Sequence, residues 1–244
     1  MEERRGTGDG RQGRIGPDPQ LPKAKGARMA LASSMVMNEK RIVRDGYNQV
    51  AAAYLEMRRQ HSPDMAPLDK LTRKLPVQAS ILDAGCGAGV PVTAHLAEQF
   101  DVIGVDFSQS QLRLAKGLVP KAKFVCQDLT NLGFAAGCFD AICSYYAIIH
   151  IPRELHAGIL AGFHNLLAPG GFALLCLGAE DLEEDIENDY FGTEMYWSHY
   201  DERTNRRLLR QVGFEELWSD LVPDDAFGEG RHLFVLAAKD LTCT

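Results

Sequence analysis

The 244-residue chain is 45% hydrophobic and 24% charged, ordinary globular composition, and is long enough for one large α/β domain with its own core. No apolar run approaches the ~20 residues of a spanning helix, so no membrane is expected among its partners. The net charge of −7 is uneven: residues 1–28 hold seven Lys/Arg against four Asp/Glu, leaving 19 against 29 elsewhere, and an acidic body disfavours nucleic-acid phosphate.

Six cysteines (Cys86, Cys126, Cys138, Cys143, Cys176 and Cys243) lack CxxC spacing and the density of a disulfide scaffold, so reduced thiols in a cytoplasmic protein are expected. Residues 1–34, opening on a Gly-, Arg- and Pro-rich stretch, read as a disordered tail ahead of a single domain over 35–244. The weakly apolar run 29–37 has a faint signal-peptide character, but Ser33, Ser34 and the lack of a Leu/Val-rich centre argue against that reading.

From residue 39 to 59, Ile42, Val43, Val50, Ala53, Tyr54 and Met57 recur at helical spacing, predicting one or two helices. Pro63 and Pro67 interrupt the pattern before a short helix near 68–75, and together residues 35–77 form an amino-terminal helical cover. An apolar run over 80–84 then ends in Asp83 and a glycine cluster, followed by a helix over 90–99 and a second apolar run, 102–105, ending at Asp106. Strand, Gly-rich turn, helix, strand is a βαβ unit.

The alternation continues with a helix over 110–118, strands at 123–126 and 139–145, a helix over 153–167, and a Pro169-Gly170-Gly171 turn into a strand at 172–177. Continuous apolar strands alternating with helices predict a mostly parallel sheet covered on both faces. The end differs. A helix over 204–212 precedes strands at 214–221 and 232–238 joined by a Pro/Asp/Gly loop, which predicts an antiparallel pair at the sheet edge. The acidic run 180–189 reads as a solvated loop or helix leading into an aromatic lid inserted over 178–203.

The chemistry is concentrated at strand ends. Asp83-Ala84-Gly85-Cys86-Gly87-Ala88-Gly89 lets the backbone approach a ligand closely, and Val90 stands where a dinucleotide-binding fingerprint wants its third glycine. Asp106, 17 residues past Gly89, is placed to accept from both hydroxyls of a ribose. Phe107 can flank an adenine, Ser108 can cap the next helix, and Asp128-Leu129 pairs a polar with an apolar side chain at the third strand end.

In this order and spacing, DAGCGAG, VIGVDFS, FVCQDL, FDAICSYYAIIHI and LAPGGFALL resemble the ordered motifs of class I S-adenosylmethionine (SAM)-dependent methyltransferases, strongly over residues 80–177. The resemblance implies an α/β, Rossmann-like seven-stranded mostly parallel sheet with one antiparallel edge strand. It implies SAM as cofactor, S-adenosylhomocysteine as its product, and no metal.

Carried onto this sequence, the resemblance assigns Gly85, Cys86, Gly87 and Gly89 to the turn cradling the methionine part of SAM, with Asp83 ordering that turn. Asp106 falls at the ribose with Ser108 among the cofactor-binding residues beside it, Phe107 and Leu129 on the adenine faces, Asp128 at the adenine amino group, and Ser144 and Tyr145 beside the ammonium and sulfonium. Tyr47 and Tyr54, seven residues apart on one helix face, match the cover that closes over the SAM carboxylate.

Methyl transfer is in-line attack on a sulfonium carbon, so the enzyme mainly positions the acceptor and, where needed, supplies a base. The candidates are His150 and Tyr146 beyond the fourth strand and His199 in the lid. The resemblance points to a small-molecule acceptor, with O, N, S and C all open as the acceptor atom. RNA methylation, non-catalytic SAM binding and an NAD-type oxidoreductase are the alternatives; the last is disfavoured by the missing glycine and by Asp83 near a would-be pyrophosphate.

Overall fold

The computed structural model describes residues 23–61, 65–223 and 230–240. The chain divides into two compact units, Met1–Met35 and Val36–Thr244, and the sheet belongs wholly to the second. Helix α1 spans Lys23–Gln60 as a single helix. The tail expected over 1–34 therefore ends inside a helix; its first 22 residues lie outside the described residues, as does Cys243.

A short helix α2 (Ala66–Thr72) follows, with Pro67 in its first turn where no backbone N–H is required. Then come β1 (Ser80–Ala84), α3 (Val92–Leu96), β2 (Asp101–Asp106), α4 (Gln109–Leu118), β3 (Lys123–Cys126) and β4 (Phe139–Ser144). Helix α5 (His156–Leu166) leads into β5 (Leu167–Gly178), a hairpin of β6 (Leu182–Tyr190) and β7 (Thr193–His199), helix α6 (Glu202–Val212), and β8 (Phe214–Pro223) and β9 (Arg231–Lys239).

Seven strands form one sheet in the order β3-β2-β1-β4-β5-β9-β8. The first five are parallel; β9 runs antiparallel to both neighbours, inserted one place in from the β8 edge. β1 and β4 are almost wholly buried, as central parallel strands covered on both faces must be. One apolar cluster, around Leu82, Ile142, Phe163, Leu175 and Val235, packs α5 and α6 on one face. Another, around Leu68, Ile81, Leu96, Leu174 and Phe234, packs α2 and α3 on the other.

The segment 180–189 departs from the expected loop or helix: β6 is a strand with seven consecutive exposed residues. Glu and Asp have little strand propensity, but pairing overrides it, because β7 turns Met195 and Tyr196 into a third cluster with Ile42, Val43 and Val50 of α1. The hairpin is thereby fastened to the helix that covers the carboxyl ends of the parallel strands.

Candidate active site

At the end of β1 the backbone turns with Gly85 at φ +83°, Gly87 at +53° and Gly89 at +77°, conformations open to glycine and strained for other residues. Gly85 is also required by packing: a Cβ there would fall 2.1 Å from the Cβ of Ala147 beyond β4. The Gly85 and Cys86 N–H groups donate to the Val105 carbonyl at 2.7 and 2.9 Å, locking the turn to β2. Beneath it Asp83 is buried and accepts from Thr93 Oγ1. Desolvation pushes its carboxyl up to about 7, with only the Thr93 hydrogen bond opposing.

Asp106 closes β2. Its Oδ2 accepts from Gly87 N at 3.0 Å and its Oδ1 from Ser108 N at 2.8 Å. Desolvation nevertheless raises this carboxyl to about 6. Ser108 caps α4, accepting from Gln111 N, while its hydroxyl donates to Asn48 Oδ1 of α1 at 2.9 Å. Ser110 N donates to the same Asn48 oxygen, so one amide ties the covering helix to the start of α4. Next to Gly87 lies Gln111, buried, with neither Oε1 nor Nε2 hydrogen-bonded among the described residues. A buried amide without partners is costly unless something in the site engages it.

These groups line a cleft of about 670 Å³ with Tyr47, Tyr54, Gly85, Phe107, Leu129 and Tyr145. At one end, Asp128 accepts from Lys40 Nζ at 2.9 Å and from both the N–H and the hydroxyl of Thr130. Its carboxyl is held below the usual range by these hydrogen bonds, which outweigh desolvation together. A carboxylate offers about four lone-pair sites, so Asp128 keeps capacity for a further donor.

A smaller cavity under the turn is lined by Asp83, Cys86, Gly87, Tyr145 and Arg58. Arg58, buried on α1, donates from Nε to Tyr54 Oη at 3.0 Å, and its guanidinium lies 4.5 Å from the centre of the Tyr146 ring. Tyr146 itself holds φ +53°, a strained conformation for an aromatic residue that turns the chain sharply where it leaves the sheet.

His150 is buried on the 3₁₀ turn that follows. A carbonyl can only accept, so Nδ1 donates to Tyr196 O at 2.9 Å, and Nε2 accepts from the Tyr47 hydroxyl at 2.8 Å. Desolvation lowers the imidazole to about 4 and keeps it neutral. Burial likewise pushes the Tyr47 phenol well above its ordinary value.

The sequence candidates thus separate. Tyr47, Tyr54, Gly85, Gly87, Asp106, Phe107, Asp128, Leu129, Tyr145, Tyr146 and His150 line the main cleft, and Asp83 and Cys86 the cavity beside it. Gly89 packs against Val119 and Phe124, Ser108 is a helix cap, and Ser144 donates to Ala84 O; all three brace the site without lining it. His199 is not brought to the cleft. Its ring packs on Gly178 and Nδ1 donates to Glu180 O at the base of the hairpin, which corrects its expected place near the reacting groups.

Arg58, Gln111 and Asn48 went unassigned in the sequence. Arg58 falls on the helical face of Tyr47 and Tyr54, and Gln111 on the buried stripe of α4 with Leu112 and Ala115, so periodicity carried a signal for both. Among the described residues, no group of three or more His, Cys, Asp or Glu could hold a metal ion, and no helix is long and apolar enough to cross a membrane.

Residues 81–171 match a family model described as a methyltransferase domain. This is the class I methyltransferase fold. An uncharacterised methyltransferase of Synechocystis is 36% identical over 99 residues, 40% of this chain and 46% of that protein. The sterol 24-C-methyltransferase of Pneumocystis carinii is 31% identical over 99 residues, 38% of this chain and 26% of that protein. The chain spans less than half the length of these curated relatives. Among solved structures, the 1,6-didemethyltoxoflavin N1-methyltransferase of Burkholderia thailandensis, with 1,6-didemethyltoxoflavin and S-adenosylhomocysteine bound, superposes with a TM-score of 0.60 at 22% identity, covering 92% of this chain and 93% of that one. In this fold, the glycine turn, Asp106 and the β4 exit meet at the carboxyl ends of adjacent parallel strands, where ligands of open α/β sheets bind.

Proposed function

We propose that this protein is a SAM-dependent methyltransferase acting on a small-molecule acceptor. The observation that carries the reading is the set of Gly85, Gly87, Asp106 and the Gln111 amide, without a hydrogen-bond partner among the described residues, drawn from two strand ends and the following helix onto one cleft. Glycine backbone permits close approach, Asp106 offers a carboxylate to ribose hydroxyls, and Gln111 offers both a donor and an acceptor to the same nucleoside. When bound, SAM supplies an electrophilic methyl group on a sulfonium.

The residues of this chain do the rest. Phe107 and Leu129 flank the adenine, and Asp128 takes its amino group at the end latched by Lys40. Arg58, with Tyr54, meets the carboxylate of the methionine part from the smaller cavity, and Tyr145 stands beside the ammonium. Tyr47, Tyr54 and the hairpin roof the site and exclude water. The five described cysteines are all free, which fits a cytoplasmic setting.

The reading is tested by incubating the protein with methyl-labelled SAM, a pool of small phenols, amines, thiols and carboxylates, and, separately, total RNA. Label is expected in a small-molecule product. Label in RNA alone would overturn the acceptor class.

A further inference from the structure

The buried stripe of α4 carries one residue that packing does not account for. Leu112 and Ala115 belong there, but Gln111 is only 1% exposed, and neither its Oε1 nor its Nε2 has a hydrogen-bond partner among the described residues. Its backbone N–H already donates to the Ser108 hydroxyl at 3.2 Å, so the side chain is not needed to cap the helix. The amide borders the cleft instead, with Oε1 3.9 Å from where a Cβ on Gly87 would stand and Asp106 lining the same cleft. An apolar side chain of the same length would fill this place without the cost of desolvating an amide.

We propose that Gln111 is a specificity-determining residue for the sugar of the cofactor. It donates from Nε2 to a ribose hydroxyl whose proton Asp106 takes, so that the two side chains together admit a nucleoside with its full diol and reject a deoxy sugar. This rests on the SAM-dependent reading of the cleft.

Asp106 Oδ2 accepts from Gly87 N at 3.0 Å and Oδ1 from Ser108 N at 2.8 Å, which leaves about one lone-pair site on each oxygen, enough for one hydroxyl proton apiece. A carboxylate can only accept. Each hydroxyl that gives its proton to Asp106 keeps two lone pairs of its own, and leaving them unmet in a site that excludes water is costly. The Gly87 and Ser108 N–H groups are spent on Asp106, whereas Gln111 Nε2 brings two uncommitted N–H bonds to the same cleft.

Such a residue has a signature that a packing residue lacks. Without the nucleoside, a buried amide that lacks partners lowers the stability of the fold; with it, the sugar satisfies the amide. Stability is given up for selectivity, so removing the amide should strengthen the fold and weaken the binding.

The test uses the full chain and three probes: S-adenosylhomocysteine and its 2′-deoxy and 3′-deoxy analogues. Each is titrated by calorimetry at pH 8 into wild type, Gln111→Met and Gln111→Glu, and melting temperatures are recorded without ligand. Gln111→Met removes the amide and keeps the length. Expected in that variant are a melting temperature raised by about 2–4 °C, S-adenosylhomocysteine affinity lowered about tenfold, and affinity for one of the two deoxy analogues within about twofold of wild type. Gln111→Glu, an acceptor without a donor beside Asp106, should lose at least as much affinity for S-adenosylhomocysteine. If melting temperature and affinity fall together in Gln111→Met, the residue only packs; equal losses for all three probes, or wild-type affinity in Gln111→Glu, would show that it does not donate to the sugar. Failure of S-adenosylhomocysteine to bind the wild-type protein would strike the methyltransferase reading instead.

Discussion

The Tyr47 hydroxyl and His150 Nε2, 103 positions apart in the chain, are joined by a 2.8 Å hydrogen bond that fastens the covering helix to the exit of β4. The bond holds a neutral imidazole in one tautomer between a carbonyl and a phenol. Tyr47→Phe should leave Nε2 without its donor in a buried place and cost about 1–3 kcal/mol of stability. Urea denaturation followed by circular dichroism measures it, and an unchanged midpoint would mean the bond is not formed in solution.

The same environment sets a pH dependence. His150 and His156 are both lowered by desolvation to about 4, against 6.5 unfolded. Stability from keeping them neutral is therefore complete above pH 6.5 and lost as pH falls through 4. Asp83 and Asp106 act oppositely: raised to about 7 and about 6, they contribute fully below pH 3.8 and less as pH rises through those values. Because the two slopes overlap, the comparison that isolates the histidine is thermal unfolding of wild type against His150→Gln from pH 4 to 7. The variant is expected to lose less stability on acidification; parallel curves would contradict the assignment.

Asp106 accepts from both ribose hydroxyls most strongly when it is ionised. Affinity for S-adenosylhomocysteine is expected to fall as pH drops through about 6, and Asp106→Ala to weaken it by about 1–3 kcal/mol at pH 8. Titration calorimetry at pH 5 and 8 reads both effects. A folded Asp106→Ala protein with wild-type affinity would move the ribose elsewhere.

Two glycines give a contrast. At Gly85, φ is +83° and an added Cβ would collide with Ala147, so Gly85→Ala should destabilise strongly and distort the turn. At Gly117, within α4, a Cβ would meet nothing within 4 Å, and Gly117→Ala should stabilise by about 0.4–1 kcal/mol. Melting temperatures of the two variants should move in opposite directions; movement in the same direction would be evidence against the turn geometry.

Much of this was legible because buried parallel strands are continuous apolar runs and their ends carry the polar residues. Asp83, Asp106 and Asp128 each stand at or just after such an end. The hairpin was not legible, since β6 exposes seven consecutive side chains and shows no alternation, its conformation being set by the partner strand. Nor was the displacement of His199, because proximity along the chain to the aromatic lid said nothing of which face of β7 it would take. Arg58 and Gln111 were hidden differently: polar residues on buried helix stripes declare themselves only when the apolar positions around them are counted as one face.

The central claim is that the cleft over residues 85–89 and Asp106 binds the SAM nucleoside. Titration calorimetry of the wild-type protein against S-adenosylhomocysteine and against NAD tests it most directly. Saturable one-to-one binding of S-adenosylhomocysteine with no heat from NAD is expected, and saturable NAD binding with none from S-adenosylhomocysteine would contradict it.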